Sequence, residues 1–425
     1  MKETEEKMTE QERKRIREIC DRINQRIEEK HIGCFQGSDA PLFFISTEYP
    51  GLWLEHVYDA VFYAKLSGEL LPERLAIAKN TIQFFLDNQT AEGQYPCFYR
   101  DPARAVNWQG EWMGYSHIQE CVSFPALCLE VCQMAEDPCL TERVYESAKK
   151  WDGWLRRYRM TRGLGLVEQF VGYDTGHDWS GRIQGFSCPG RYEWDGEPMN
   201  AAILPQDDVV PVIAVDMNAN FYGTQKALAA LARLCGKEQE GQEWERRAAE
   251  VKRRLFEVCY DKEDAFFYDV DKHGKKRKYL SSTIFHLFQE KVLDLEADRE
   301  LIREIYTRHI KNPEEFWTEY PFPSMAVCDP SCQGHMPGNC WGYYSQALIA
   351  LRCTRWMDDY GFGEDFDHIC RKWLEAWTRC FDDMKLGQEL DPFTGEPSRC
   401  SEWYSSCMLF YLYAAQRLGI AGAEQ

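Results

Sequence analysis

Two short segments place a carboxylate where it could move a proton. In Tyr173-Asp-Thr-Gly-His-Asp-Trp-Ser-Gly-Arg182, Asp178 stands beside Trp179 and four residues ahead of Arg182. An aromatic neighbour lowers the local dielectric and raises a carboxyl pKa, as a general acid requires. In Gly387-Gln-Glu-Leu-Asp-Pro-Phe-Thr-Gly-Glu396, Glu389 comes just ahead of an Asp391-Pro392 turn start. One protonated and one ionised carboxyl can together do acid–base chemistry without a metal or cofactor. Spacing alone leaves the ordinary reading open, because the chain has 69 acidic residues and loop carboxylates commonly cap turns. His177, next to Asp178, reads as a contact or a packing residue rather than a base. Cys328, Cys332, His335 and Cys340 offer soft ligands, but their spacing is not one of the standard zinc pairs, so they read as free loop thiols and no metal is assigned.

Helices must hold these loops. Met217, Phe221, Leu228, Leu231 and Cys235 form one apolar stripe, with Asp216 placed as N-cap and Gly236 just past the end. Trp244, Ala248, Val251, Leu255 and Val258 form the next stripe, so the two read as an antiparallel helical hairpin. The same pattern predicts helices near 8–30, 53–68, 72–90, 117–135, 140–158, 217–235, 241–259, 280–289, 296–309, 340–359, 364–382 and 402–418. Long loops at 91–116, 159–215, 311–339 and 383–401 carry most of the Gly and Pro, and long loops in a compact domain are usually functional. No repeat of a solenoid type is present. The expectation is an all-α protein, an (α/α)6 barrel in one catalytic domain over residues 1–425, with the long loops forming a cleft on one face. Residues 1–30 are expected to be an amphipathic helix packed through Ile16, Ile19, Ile23 and Ile27.

Composition narrows the partners. A formal charge of −19 excludes a nucleic-acid surface as the default. The first residues are charged throughout, with no apolar run for a leader or a membrane span, so a cytoplasmic protein with reduced cysteines is expected. Aromatic residues make up 14% of the chain, more than packing alone tends to require, as a sugar-binding cleft would.

The order of motifs resembles the six-hairpin glycosidases of glycoside hydrolase families 63 and 37, including trehalase-like and mannosylglycerate or glucosylglycerate hydrolase-like enzymes, from about residue 50 to residue 415. Gly176-His-Asp-Trp-Ser-Gly-Arg182 is similar to the segment that carries the family's general acid, and Val215-Asp-Met-Asn-Ala219 to a helix start. Pro321-Phe-Pro-Ser-Met325 with Asp329-Pro330 is similar to a Pro-Ser-Leu loop, and Gly338-Asn-Cys-Trp341 to Gly-Pro-Val-Trp. Glu389 to Glu396, with Ser401-Glu-Trp403, resembles the pair of motifs whose first Glu is the general base.

The resemblance implies an inverting, exo-acting α-glycosidase on a small carbohydrate, with Asp178 donating to the glycosidic oxygen and Glu389 activating water, without a cofactor. It also implies that Arg182 binds substrate hydroxyls or a carboxylate. Trp53, Trp108, Trp179, Trp341 and Trp403 would then give apolar faces to the sugar. Glu55 and His56, in Trp53-Leu-Glu-His56, stand where the family has the Asp that fixes glucose hydroxyls. Tyr95 and Gln119 complete the candidate substrate-binding set. A sugar epimerase or isomerase using histidines, and a phosphorylase, are the alternatives on the same barrel.

Overall fold

The computed structural model describes residues 8–46, 49–104, 112–177, 180–183, 211–332 and 341–422, and the backbone of 193–194 and 197–198. The twelve α-helices among them correspond one to one with the expected ones. They are α1 (Glu10–Arg26), α2 (Val57–Lys65), α3 (Pro72–Asp87), α4 (Phe124–Ala135), α5 (Pro138–Tyr158), α6 (Val215–Leu234), α7 (Glu238–Val258), α8 (Phe285–Gln289), α9 (Arg299–Ile305), α10 (Ala347–Arg352), α11 (Gly363–Cys380) and α12 (Ser405–Arg417).

Two kinds of helix alternate along the chain. Helices α2, α8 and α10 are buried on every side from Val57 to Ala64, Phe285 to Gln289 and Ala347 to Arg352. Helices α6 and α12 are buried around most of their girth. By contrast α1, α7 and α11 bury one stripe only, such as Trp244, Ala248, Val251 and Leu255 of α7. A helix buried all round belongs at the centre, and a one-sided helix outside it. Contacts follow that rule: α2 packs on α4, α4 on α6, α6 on α8, α10 on α12, and α12 back on α2. Phe288 of α8 meets Trp356, just beyond α10, at 5.1 Å. Six inner helices thus close a ring, and each outer helix returns the chain, so the inner helices all begin at one end.

Local signals set the helix ends. Thr9 and Glu12 form a reciprocal capping box on α1. Ser123 accepts from the Ala126 amide to open α4, and Asp137 accepts from Cys139 and Leu140 at the start of α5. Ile16, Ile19, Ile23 and Ile27 are all buried, and α1 lies against α11 and α12.

Several helices start later than their hydrophobic pattern predicts, and the delays of α4, α10 and α12 place functional residues. Residues 117–123 are not helical: Gln119 has φ +57° and Pro125 is in the first turn of α4. Ser345–Gln346 are extended and pair antiparallel with Glu389–Leu390, so α10 begins only at Ala347. Ser401 and Trp403 take left-handed φ values of 51° and 54°, which holds α12 back to Ser405. Other short antiparallel pieces brace the loops, among them Gly51–Trp53 with Phe98–Arg100 and Asp269–Val270 with Ile213. No described helix is long and apolar enough to cross a membrane.

Candidate active site

The loops at the starts of the inner helices hold Glu389, Glu55, His56, Gln119 and Trp341 of the candidate residues. Glu389 is buried, and Gln346 lies opposite it in the antiparallel pair, so that Gln346 Nε2 donates to Glu389 Oε1 at 3.1 Å. Burial pushes the Glu389 carboxyl up to about 7, while Gln346 and Ser398, by hydrogen bonding to the ionised form, pull the other way. A carboxylate with this pKa is ionised in half the molecules at neutral pH and can take a proton from water. Asp178 and Trp179 lie outside the described residues, as do Trp108, His335 and Cys340.

Glu55, His56 and Gln119 form a polar cluster at the starts of α2 and α4. Gln119 Nε2 donates to Glu55 Oε1 at 2.9 Å, and the His117 ring holds Gln119 Oε1 at 2.7 Å. The positive φ of Gln119 turns its amide into this position. Gly176 passes so close that a Cβ there would stand 2.5 Å from Glu55 Oε2 and 2.4 Å from Cys121 Sγ, and its φ of +73° is itself a glycine conformation. His56 Nε2 meets the Tyr404 hydroxyl at 2.5 Å, which ties the start of α2 to that of α12. Three residues on, Asp59 accepts from Ser405 and Ser406 across the same seam.

Arg182 has a different place from the expected one. Its Nη2 donates to Asp216 Oδ2 at 2.6 Å and to Thr175 Oγ1 at 2.8 Å, and its Nη1 to Asp269 Oδ2 at 2.5 Å. Burial works against this charge, but the two carboxylates outweigh it and hold the guanidinium pKa above its ordinary value. Arg182 is therefore a buried brace between Asp216 and Asp269. Asp216 is likewise not the N-cap of α6: Ala214 holds that position without a side-chain bond, and the Asp216 carboxylate turns inward to Arg182.

The aromatic candidates divide. Trp341 is buried and stacks on His177 at 4.1 Å and 15°, inside the site. Trp53 is enclosed by Phe98 at 6.0 Å and the Arg100 guanidinium at 5.0 Å, so it packs the cleft wall rather than offering an open face. Tyr95 belongs to the core between α4 and α5, edge-on to Phe124 at 4.6 Å, with its hydroxyl 2.8 Å from Ser147 Oγ. Trp403 packs against Phe381 and beneath Arg26 at the outer rim. Cys328 is exposed and Cys332 half-buried.

Several site residues carry no recognisable sequence signal. Gln346, Tyr404 and His286 sit in ordinary-looking helix starts, and only the fold brings them inward. His177, Asp216 and His286 place one ligand atom each within 4.8 Å of the others, which by geometry could hold a metal. Electrostatics oppose a cation there. Arg182 already occupies Asp216 Oδ2, and the charges of Arg182 and Arg352 add to burial in driving both histidines well below their ordinary pKa.

A cavity of about 720 Å³ opens at the other end of the ring, at the inner-helix C-termini. Its cations are engaged by its own walls, as where Lys65 and Arg355 share Glu130 at 2.5 and 2.6 Å.

A closed ring of helical hairpins with a buried carboxylate at the inner-helix starts is the architecture of a six-hairpin glycosidase. The same fold occurs in the family 63 mannosylglycerate hydrolase from Thermus thermophilus solved with glucose: 18% identity, TM-score 0.67, covering 93% of this chain and 99% of that one. Neutral trehalase from Saccharomyces cerevisiae is similar at 12% identity and TM-score 0.66, covering 95% of this chain and 82% of that one. A rhamnosidase from Klebsiella oxytoca follows at 12% identity and TM-score 0.58, covering 96% of this chain and 64% of that one. No curated protein matches the sequence. The profile of the mannosylglycerate hydrolase MGH1-like glycoside hydrolase domain matches residues 65–405, and the chain belongs to that family. It is a glycoside hydrolase.

Proposed function

We propose that the protein hydrolyses a small α-linked glycoside from its end, with inversion, using Asp178 as general acid and Glu389 as general base. The observation that carries this reading is the setting of Glu389, a buried carboxylate aimed from a loop at the barrel mouth and oriented by a single amide, Gln346. Such a group has nothing to cap, so the turn-forming role falls instead to Asp391, which accepts from the Phe393 and Thr394 amides. In an inverting enzyme the base and acid carboxyls stand roughly 6.5–9.5 Å apart, leaving room for the water that attacks the anomeric carbon. Glu389 would take a proton from that water while Asp178 protonates the leaving oxygen. Similarity to an enzyme solved with glucose, and solved again with Tris and D-glycerate, supports a small sugar-derived substrate.

The pH profile tests this assignment. Since Glu389 must be ionised to act, and burial raises its pKa to about 7, kcat/KM should rise with pH to a plateau reached above pH 7. Gln346 favours the ionised form, so Gln346→Leu should raise the Glu389 pKa and move this limb to higher pH. The profile would be measured on whichever of a panel of α-glucosides, α-mannosides and glycosylglycerates is turned over. A limb that stays put in Gln346→Leu would assign the titration to another group.

A further inference from the structure

Deep in the barrel, near the Glu55 and His56 cluster, lies an arginine that meets no carboxylate at ion-pair distance among the described residues. Arg352 is the last residue of α10 and is 3% exposed. Arg159 and Arg182, at comparable depth, are answered by acids: Arg159 by Asp174, and Arg182 by Asp216 and Asp269. Arg352 makes no ion pair among the described residues, and its Nε and Nη2 are buried without a hydrogen-bond partner. These two nitrogens form one edge of the guanidinium, the edge that grips a carboxylate with two parallel hydrogen bonds. Burying an unpaired charge costs several kcal/mol, so such an edge is kept only where something completes it.

Its position points toward the candidate active site. Side chains on a helix lean toward the helix N-terminus, which for α10 is the end that bears Gln346 and the active site. The Cys121 thiol feels the charge of Arg352, and that thiol lies 3.7 Å from Glu55 Oε2. With Ser282, His286 and Ile349 it also lines a small void of about 10 Å³, room for about one water. Other buried polar atoms around it lack partners too: His56 Nδ1, His177 Nε2 and Ser282 Oγ. Two acids stand near it, Glu55, which accepts from Gln119, and Asp59, which accepts from Ser405 and Ser406 and feels the Arg352 charge, but neither closes an ion pair with it. The free edge of the guanidinium thus stays available as a pair of donors.

We propose that Arg352 recognises an anionic group on the sugar itself, so that the substrate is a glycoside of an acidic sugar, a uronic acid, whose carboxylate pairs with Nε and Nη2 of Arg352. This rests on the reading of the cleft as a sugar-binding, glycoside-cleaving site. Arg182, the other arginine at this depth near the site, is excluded as the anion contact because two carboxylates already hold it.

Calorimetric titration of the full chain tests the proposal with D-glucuronate and D-galacturonate against D-glucose and D-galactose, and with D-glycerate as an acid that is not a sugar. At least one uronate is expected to bind about 10-fold or more tighter than its neutral parent, and Arg352→Met should weaken uronate binding by about 100-fold and erase the preference. Neutral sugars that bind as well as the uronates would overturn the proposal, and that comparison needs only the unmodified protein. A uronate preference that survives in folded Arg352→Met, or binding of D-glycerate through Arg352 without any uronate preference, would also overturn it. A parallel hydrolysis assay separates this proposal from the one it rests on. Arg352-dependent uronate binding with no cleavage of uronosides or neutral α-glycosides would uphold the acidic pocket and count against the hydrolytic reading. Cleavage of neutral glycosides alone, at equal rates with and without Arg352, would do the reverse.

Discussion

Glu389→Gln is expected to lower turnover by 100-fold or more, on the order of 10² to 10⁴, with the fold unchanged. Gln keeps the shape and the backbone pairing with Gln346 but cannot take a proton from water. The same substitution should stabilise the protein at alkaline pH. The Glu389 pKa is about 7 in the folded chain against an ordinary 4.5, so the folded state binds this proton more tightly than the unfolded one. Its contribution to stability is therefore full below about pH 4.5 and is lost as the pH rises through 7, a loss of order 3 kcal/mol when complete. Glu389→Gln removes that loss. Urea unfolding at pH 5 and pH 8 should show a gain in the variant at pH 8 that shrinks at pH 5. A variant that unfolds more readily at pH 8 would place Glu389 among structural residues. Asp178→Asn should match the loss of turnover.

Arg182→Met is expected to act on stability first. Asp216 and Asp269 would both remain buried without a counter-charge, and breaking a buried ion pair from one side typically costs about 3–5 kcal/mol. The damage would spread to the start of α6, where Asp269 also accepts from the Val215 amide at 2.9 Å. Adding Asp216→Asn and Asp269→Asn should restore part of the loss, because the uncompensated charges are then gone. Denaturant midpoints for the single and triple variants would measure this. If Arg182 served only as a substrate ligand, the single variant would raise KM at unchanged midpoint.

The helices could be read from the chain, and their delayed starts could not. Stripes such as Trp244, Ala248, Val251 and Leu255 announce one-sided outer helices by period alone. The inner helices α2, α10 and α12 are apolar or small nearly all round, so periodicity finds them but cannot fix their ends. At those ends a positive φ at Gln119 or Trp403, or the pairing of Gln346 with Glu389, overrides helix propensity, and these depend on contacts far along the chain. Of the candidates named from the sequence, Glu389, Glu55, His56, Gln119 and Trp341 lie at the inner-helix starts. Arg182, Trp53, Tyr95 and Trp403 are instead packed or paired with other side chains, because a motif gives residue type and position, not the partner a side chain meets. Arg352 did leave a trace, as the one charge at the end of Ala347-Leu-Ile-Ala-Leu-Arg352. Only the ring of helices shows that this charge is buried and not in solvent.

The central claim is that Glu389 activates a water and does not attack the sugar itself. Proton NMR of the first product released from an α-linked substrate by the wild-type enzyme tests it most directly, read before the free sugar mutarotates. Inversion predicts the β anomer at first, with the α anomer growing in only at the rate of mutarotation. First release of the α anomer would mean retention through a covalent intermediate and would contradict the account.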